Sequence, residues 1–307
     1  MNKTTKTLVA VLVILGGIYA IQRFTSRTST TELIKPFAGI DTSDINRVDV
    51  DFGGKIIIER SEGRWMVTSP VKSPADPGQM NLLLTRIASN PEASVVADNM
   101  SDSSAYGFGK DAAYAGFRST NGKVIAMRIG RLTPDFNGCY IQLTGDNKIL
   151  QLGTNIRTLV GQPLTDWRDK QIFSFGTSDI ESVDFALGDT LYHFFHSDTS
   201  WQVNGIRVPE MEARDLVSNL IGSTALGFVD STVTPSPLIM DYGITLSNRQ
   251  HIAGQIFKSA GSEVTFGQLC LSNSADQQIY TISPTLPATI IQGLREIQKN
   301  YLTRDRS

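Results

Sequence analysis

A pattern that returns after 135 to 137 residues constrains this chain more than any other feature. Val48-Asp49-Val50-Asp51-Phe52-Gly53 comes back as Val183-Asp184-Phe185-Ala186-Leu187-Gly188, and Trp65-x-Val67 as Trp201-x-Val203. Tyr106-Gly107-Phe108 comes back as Tyr242-Gly243-Ile244, and Ile129-Gly130 as Phe266-Gly267. The offset is 135 for the first match, 136 for the next two and 137 at Gly130/Gly267, and such small changes fall where loops tolerate them. The chain reads as one unit copied twice, a first repeat over 45–163 and a second over 180–303, with a junction at 164–179.

The local patterns agree between the copies. Val48, Val50 and Phe52 alternate with Asp49 and Asp51, the period of a half-buried strand, and Lys55–Ser61 and Arg64–Ser69 continue as β-rich runs around the turn Glu62-Gly63. Asp76 can cap a helix that has Pro77 in its first turn and Met80, Leu83, Leu84 and Ile87 as its apolar stripe. Ala213, Leu216, Val217 and Leu220 repeat that stripe after Pro209. Further strands are expected at Ala93–Ala97, Ala113–Ser119, Val124–Ile129, Cys139–Leu143 and Lys148–Leu152. In the second copy they are expected at Ala225–Val229, His251–Lys258, Glu263–Gly267, Leu269–Leu271 and Gln278–Ile282. A short helix near Asn155–Val160 closes the first copy and a longer one, from about Pro287 to Tyr301, closes the second, with Ile290, Ile291, Leu294 and Ile297 on one side. Strands in series with few helices imply α+β: two tandem, internally duplicated antiparallel sheets, each covered by a helix.

The opening residues set the compartment. Leu8–Ile21 is uninterrupted and apolar, between Lys3/Lys6 and Arg23/Arg27. As helix it rises only about 21 Å, against a hydrocarbon core of roughly 30 Å, so a span needs the flanking Thr4–Thr7 and Gln22–Phe24 as well. The reading is a signal anchor and transmembrane helix over 1–27, followed by a tether over 28–44. Cleavage as a signal peptide is the alternative, although Ile18-Tyr19-Ala20 is a poor small-x-small site. The flanking charges decide orientation weakly, and the N-terminal amine tips it towards a cytoplasmic N-terminus with the remainder outside. The expected topology is single-pass, with the ectodomain outside the cytoplasm.

Charge excludes other classes. The whole chain has 28 Lys+Arg against 30 Asp+Glu, and residues 1–27 hold four of the bases and no acid, so the rest carries a formal −6. Such a surface is not built to grip nucleic acid or anionic lipid.

The order of the motifs resembles the domain-of-unknown-function family DUF4340. The matching residues are Ile45-x-x-Val48-x-Val50, Trp65-x-Val67 before Pro70, Ala75-Asp76, Tyr106-Gly107-Phe108, Ile129-Gly130, Tyr140 and Trp167-Arg168-Asp169-Lys170. Phe108 and Trp167 stand where the family tends to have aliphatic residues, swaps that a repacked core absorbs. The resemblance runs from about residue 40 to the end and includes the N-terminal anchor that members usually carry. It implies a single-pass protein of the bacterial cytoplasmic membrane with a periplasmic ectodomain, associated with ABC-type or gliding-motility transporter components, and it brings no catalytic residues.

Chemistry is weakly signalled. His193 and His196, three apart on a strand, point to opposite faces and cannot share a metal, while His251 is remote in sequence. Cys139 and Cys270 fall in corresponding regions, as a bridge or as two buried thiols. Ser69-Pro70-Val71-Lys72 is formally Ser-x-x-Lys but lies at a strand end, without a Lys-Thr-Gly partner. Gly107-Phe108-Gly109 lacks the third glycine of a dinucleotide loop. Asp49 and Asp51 share the wet face of a strand. Trp65 and Trp201 read as core anchors, with sugar-stacking platforms as the functional alternative. Tyr106-Gly107 and Tyr242-Gly243 read as loop punctuation. The junction residues Trp167, Arg168, Asp169 and Lys170 are the candidate partner contact, or else a solvated linker with one buried Trp.

The expectation is a non-enzymatic accessory or scaffold protein of an ABC-type transporter or envelope complex, with an ABC-type permease as partner. No catalytic, cofactor-binding or metal residue and no nucleic-acid partner is expected; a small-molecule ligand is unknown. The alternative is a carbohydrate-binding or cell-wall-modifying envelope module.

Overall fold

The computed structural model describes residues 33–101, 103–197, 200–231, 233–260 and 268–303. The apolar run Leu8–Ile21 and the strand expected at Glu263–Gly267 lie outside the described residues. Among the described residues, no helix is long and apolar enough to cross a membrane. They divide into two compact units, 33–72 with 77–162, and 73–76 with 163–303.

The first sheet contains β1 (Leu33–Ile34), β2 (Ile45–Asp51), β3 (Lys55–Ser61), β4 (Arg64–Ser69) and β5 (Ser73–Pro74). After helix α1 (Pro77–Ala88) it continues with β6 (Ala93–Ala97), β7 (Ala113–Ser119), β8 (Val124–Leu132), β9 (Cys139–Leu143) and β10 (Ile149–Leu152), and α2 (Arg157–Val160) follows. The junction adds α3 (Leu164–Trp167). The second sheet contains β11 (Ile180–Leu187), β12 (Thr190–Ser197), β13 (Ser200–Val203) and β14 (Ile206–Val208). Helix α4 (Glu210–Ile221) precedes β15 (Gly227–Val229), β16 (Thr234–Leu246), β17 (His251–Ala260), β18 (Leu269–Asn273) and β19 (Gln278–Thr281). Helix α5 (Thr285–Ile297) then runs into a π-helical turn, Gln298–Leu302. The architecture is α+β, two antiparallel sheets with few helices.

Read from β5, the first sheet runs β5-β4-β3-β2-β7-β8-β9-β10-β6-β1, and the second runs β14-β13-β12-β11-β16-β17-β18-β19-β15. Apart from β1, the two orders are the same. The agreement reaches single residues. β2 pairs with β7 through a bulge between Ile45 and Arg47, and β11 pairs with β16 through a bulge between Ile180 and Ser182. Thr120 N–H donates to Asp44 O at 2.9 Å, and Ser247 N–H to Asp179 O at 2.8 Å. The sequence around both bulges is Thr-Ser-Asp-Ile, at Thr42–Ile45 and Thr177–Ile180, which extends the repeat beyond the motifs above.

Helices cover one face of each sheet. Met80, Leu83 and Ile87 are the buried stripe of α1. In the second unit, α4 and α5 bury Ala213, Leu216, Val217 and Leu220 with Ile290, Leu294 and Ile297, in one cluster with Phe185, Tyr192, Phe194 and Trp201.

Two assigned correspondences are corrected by the strands, and the first is that of Ile129-Gly130, whose counterpart in the ladder is Ile256-Phe257, whereas Phe266-Gly267 lies outside the described residues. Tyr106-Gly107 closes a 3₁₀ turn, Ser103–Tyr106, whereas Tyr242-Gly243 lies inside β16. Gly243 stands opposite Asp184 as Gly116 stands opposite Asp49, so Gly116 is its counterpart. The sequence disguised β16 because Pro235, Pro237 and Gly243 all disfavour a strand; bulges after Pro235 and Leu238 accommodate the first two. Tyr106-Gly107 and Ile129-Gly130 are instead two sides of one backbone crossing. A Cβ on Gly130 would strike Tyr106 O, and Gly107 takes φ +80° against Arg131.

The counterparts also exchange volume. Ala115 faces Met127 across β7–β8, while Tyr242 faces Gly254 across β16–β17. The Tyr242 hydroxyl passes over Gly254 and donates to Ser272 O at 2.7 Å. Burial, then the nearby Asp276 and Tyr280, push that hydroxyl well above the ordinary tyrosine range. A folded pKa above the unfolded one means stability present at neutral pH that declines as pH rises past about 10. Gly254→Ala should destabilise by about 1–3 kcal/mol in urea unfolding, because the added Cβ collides with the Ser272 carbonyl and with the Tyr242 phenol. Tyr242→Phe should cost about 1 kcal/mol at neutral pH and flatten the alkaline decline. An unchanged alkaline limb in that variant contradicts the assignment.

Candidate functional site

The junction residues emerge from α3 into extended backbone at Arg168 (φ −96°, ψ 142°). Asp76 N–H donates to Trp167 O at 2.9 Å and Asp169 N–H to Pro74 O at 2.9 Å, around the bridge Ala75↔Arg168. A second bridge, Gln171↔Thr224, follows at once, with Ala225 N–H donating to Lys170 O at 2.8 Å. The segment is sewn on both sides into the second unit, which rules out a solvated linker.

Arg168 is the unusual member, a cation only 1% exposed. Its Nη1 donates to both carboxylate oxygens of Asp230 at 2.9 and 2.8 Å, and its Nη2 to Gln278 Oε1 at 2.9 Å. The guanidinium lies 3.7 Å from the centroid of Phe228, and its buried Nε has no hydrogen-bond partner among the described residues. A planar fork that bonds along its edge while stacking on its face is a task for Arg and not for Lys. The ion pair offsets desolvation that would otherwise cost several kcal/mol.

Trp167 is fully buried, so the aromatic and the guanidinium are both withdrawn from a partner. Asp169 and Lys170 keep solvent-facing sides. Asp169 accepts from Gln171 N–H at 2.9 Å, and Lys170 Nζ meets Asp166 Oδ1 at 2.6 Å. Asp169 and Lys170 line an open depression of about 340 Å³ with Asp76, Gln171 and Ile221–Thr224.

The remaining candidates scatter. His193 is exposed on the outer face of β12, its Nδ1 2.6 Å from Asp184, while His196 faces inward with its ring 4.7 Å from Trp201. His251, remote in sequence, arrives beside the same acid: its Cε1 is 3.1 Å from where a Cβ on Gly243 would stand, and Gly243 pairs with Asp184. Only the sheet register reveals that neighbourhood. Among the described residues, no group of three or more His, Cys, Asp or Glu side chains is placed to hold a metal ion.

Cys139 and Cys270 are both free and buried. They lie on matching strands but are not counterparts: Ile129 pairs with Ile141 and its counterpart Ile256 with Leu271, so Cys270 stands where Tyr140 does, one residue out of step with Cys139. Burial raises both thiols above their ordinary pKa, which suits packing and not nucleophilic chemistry.

Trp201 is buried, its Nε1 without a hydrogen-bond partner among the described residues, whereas Trp65 is only half-buried. Ser69 is a ladder residue opposite Ile57. Asp49 sits on the outer face, held by Arg47 Nε and Nη2 at 3.0 and 2.9 Å, and Arg47 Nη1 reaches Glu59 at 2.8 Å.

The model of the family described as domain of unknown function (DUF4340) matches residues 65–241, and the chain belongs to that family. The match spans parts of both units and takes in Trp65-x-Val67, the buried Arg168 and its Asp230 partner. Neither the curated proteins nor the solved structures contain a match.

Arg168→Lys and Asp230→Ala should each lower stability by about 1–3 kcal/mol, below the range for a fully buried pair because the Asp230 side chain is 41% exposed. The double variant should lose less than the sum of the two, as urea unfolding will read; strict additivity contradicts a coupled clasp.

Proposed function

We propose that the chain is a non-enzymatic accessory protein of an ABC-type transporter or related envelope complex. Leu8–Ile21 holds it at the bacterial cytoplasmic membrane, and its two sheets lie on the extracytoplasmic side. The two units derive from one ancestral unit copied in tandem, a reading supported by the shared strand order and the matched bulges at Ile45 and Ile180. The observation that carries the scaffold reading is the use made of the junction. Trp167 and Arg168, in a segment that carries part of the family resemblance, are packed inside the second unit as architecture. A repeated frame whose signature residues hold it together is suited to presenting surface to a partner.

The carbohydrate-binding reading depends on exposed aromatics beside paired carboxylates. Trp201 is in the core, and the outer-face acids Asp49 and Asp184 are engaged by Arg47 and His193. That leaves it the weaker of the two.

Tagged full-length chain, extracted from native membranes in several mild detergents, should co-purify with a membrane protein in a fixed ratio. Recovery as a lone monomer in every detergent overturns the accessory reading. N-terminal sequencing of the mature chain should find residues 1–27 retained.

A further inference from the structure

The β8–β9 hairpin carries Phe136 at its tip, 71% exposed and with φ +61°. The left-handed region is unfavourable for any residue with a Cβ, and a bulky side chain there marks a position held by its surroundings. The other non-glycine residues with positive φ among those described are Glu62, Asn90, Asn204, Arg249 and Gln277, all polar. Asn137 and Gly138, which suit that conformation better, stand next in the chain, yet the aromatic occupies it.

The loop beneath is tightly held. Thr133 N–H donates to Gly138 O at 3.0 Å, and Phe136 N–H to Thr133 O at 2.9 Å. The buried Thr133 hydroxyl accepts from Gly138 N–H at 2.9 Å and donates to Asp135 Oδ1 at 2.5 Å. Asn137 donates to Asp135 through its N–H at 3.3 Å and its Nδ2 at 3.2 Å. A Cβ on Gly138 would strike Leu152 O, so the root of the loop lies close against β10. Those hydrogen bonds, chiefly from Thr133 and Asn137, hold the Asp135 carboxyl below the usual aspartate range.

We propose that Phe136 is a preformed anchor that inserts into an apolar pocket, rimmed by cationic or N–H donor groups, on a protein partner. The proposal rests on the accessory-protein reading and names the contact it would use. Aromatic anchors seated in partner pockets dominate interface energetics, and an anchor already rigid loses little freedom on docking. The ionised Asp135 beside it selects the partner's chemistry. It complements a donor rim, whereas anionic headgroups repel it and a bilayer interior would strip its water.

The test uses the full-length chain in native membranes. A photoreactive p-benzoylphenylalanine replaces Phe136 in one sample and the exposed Val124 of β8 in a second. The expected result is an adduct with one protein from position 136 alone, mapped by mass spectrometry to apolar residues of that protein. Phe136→Asn, which suits positive φ, should leave the melting temperature unchanged or raised while reducing co-recovery of the partner roughly tenfold or more. Adducts to lipid only, no adduct, the same adduct from position 124, or Phe136-dependent flotation with phosphatidylglycerol vesicles overturns the anchor. Undiminished co-recovery with Phe136→Asn also overturns it but leaves the accessory reading standing. A chain that is solitary in every detergent removes both.

Discussion

Each unit is built outward from one bulged antiparallel pair, β2–β7 in the first and β11–β16 in the second. Register is what such a pair must secure, because a slip of one residue exchanges the buried face for the wet one. The bulge after Ile45 or Ile180 secures it. An extra residue can be accommodated at only one place in the ladder, and the carbonyl of Asp44 or Asp179 is then met by the next strand's N–H. From that point Val48, Val50, Val183 and Phe185 face the helices, while Asp49 and Asp184 face water.

With register settled, the two units differ in what fills them. The Ala115/Met127 pair of one becomes Tyr242/Gly254 in the other, placing bulk on the neighbouring strand and adding a buried hydroxyl that must find an acceptor. At the sheet edge the divergence is electrostatic. Leu33 of β1 sits in an ordinary ladder opposite Ser94, whereas the residue 135 positions later is Arg168, stacked on Phe228. A buried guanidinium requires an anion within reach, and Asp230, on the segment leading to β16, supplies it. A charge taken from water thereby ties a loop to the body of the unit.

Period-two and period-3.6 patterns were readable where both partners of an interaction were local in the chain. The stripe of α1, the stripe of α4 and the alternation in β2 are all as their spacings imply, since each face is set by backbone geometry alone. Strand β16 escaped notice because its prolines and glycine obey a local rule that bulges override. Matching Tyr106-Gly107 to Tyr242-Gly243 failed for a related reason: a shared dipeptide at a near-constant offset is weaker evidence than a shared place in a ladder. Cys139 and Cys270 look like counterparts for the same reason, and the ladders set them one residue apart, Cys270 holding the place of Tyr140.

The amino-acid sequence alone determined the class of fold, the existence of two like units and the identity of most strands and helices, because burial of one face leaves a periodic trace in any chain. The tertiary structure decided which charges are architecture and which side chains stand free. Whether Arg168 meets water or Asp230, and whether Phe136 is core or exposed tip, depends on residues many positions away. No spacing along the chain encodes what a distant segment will bring alongside.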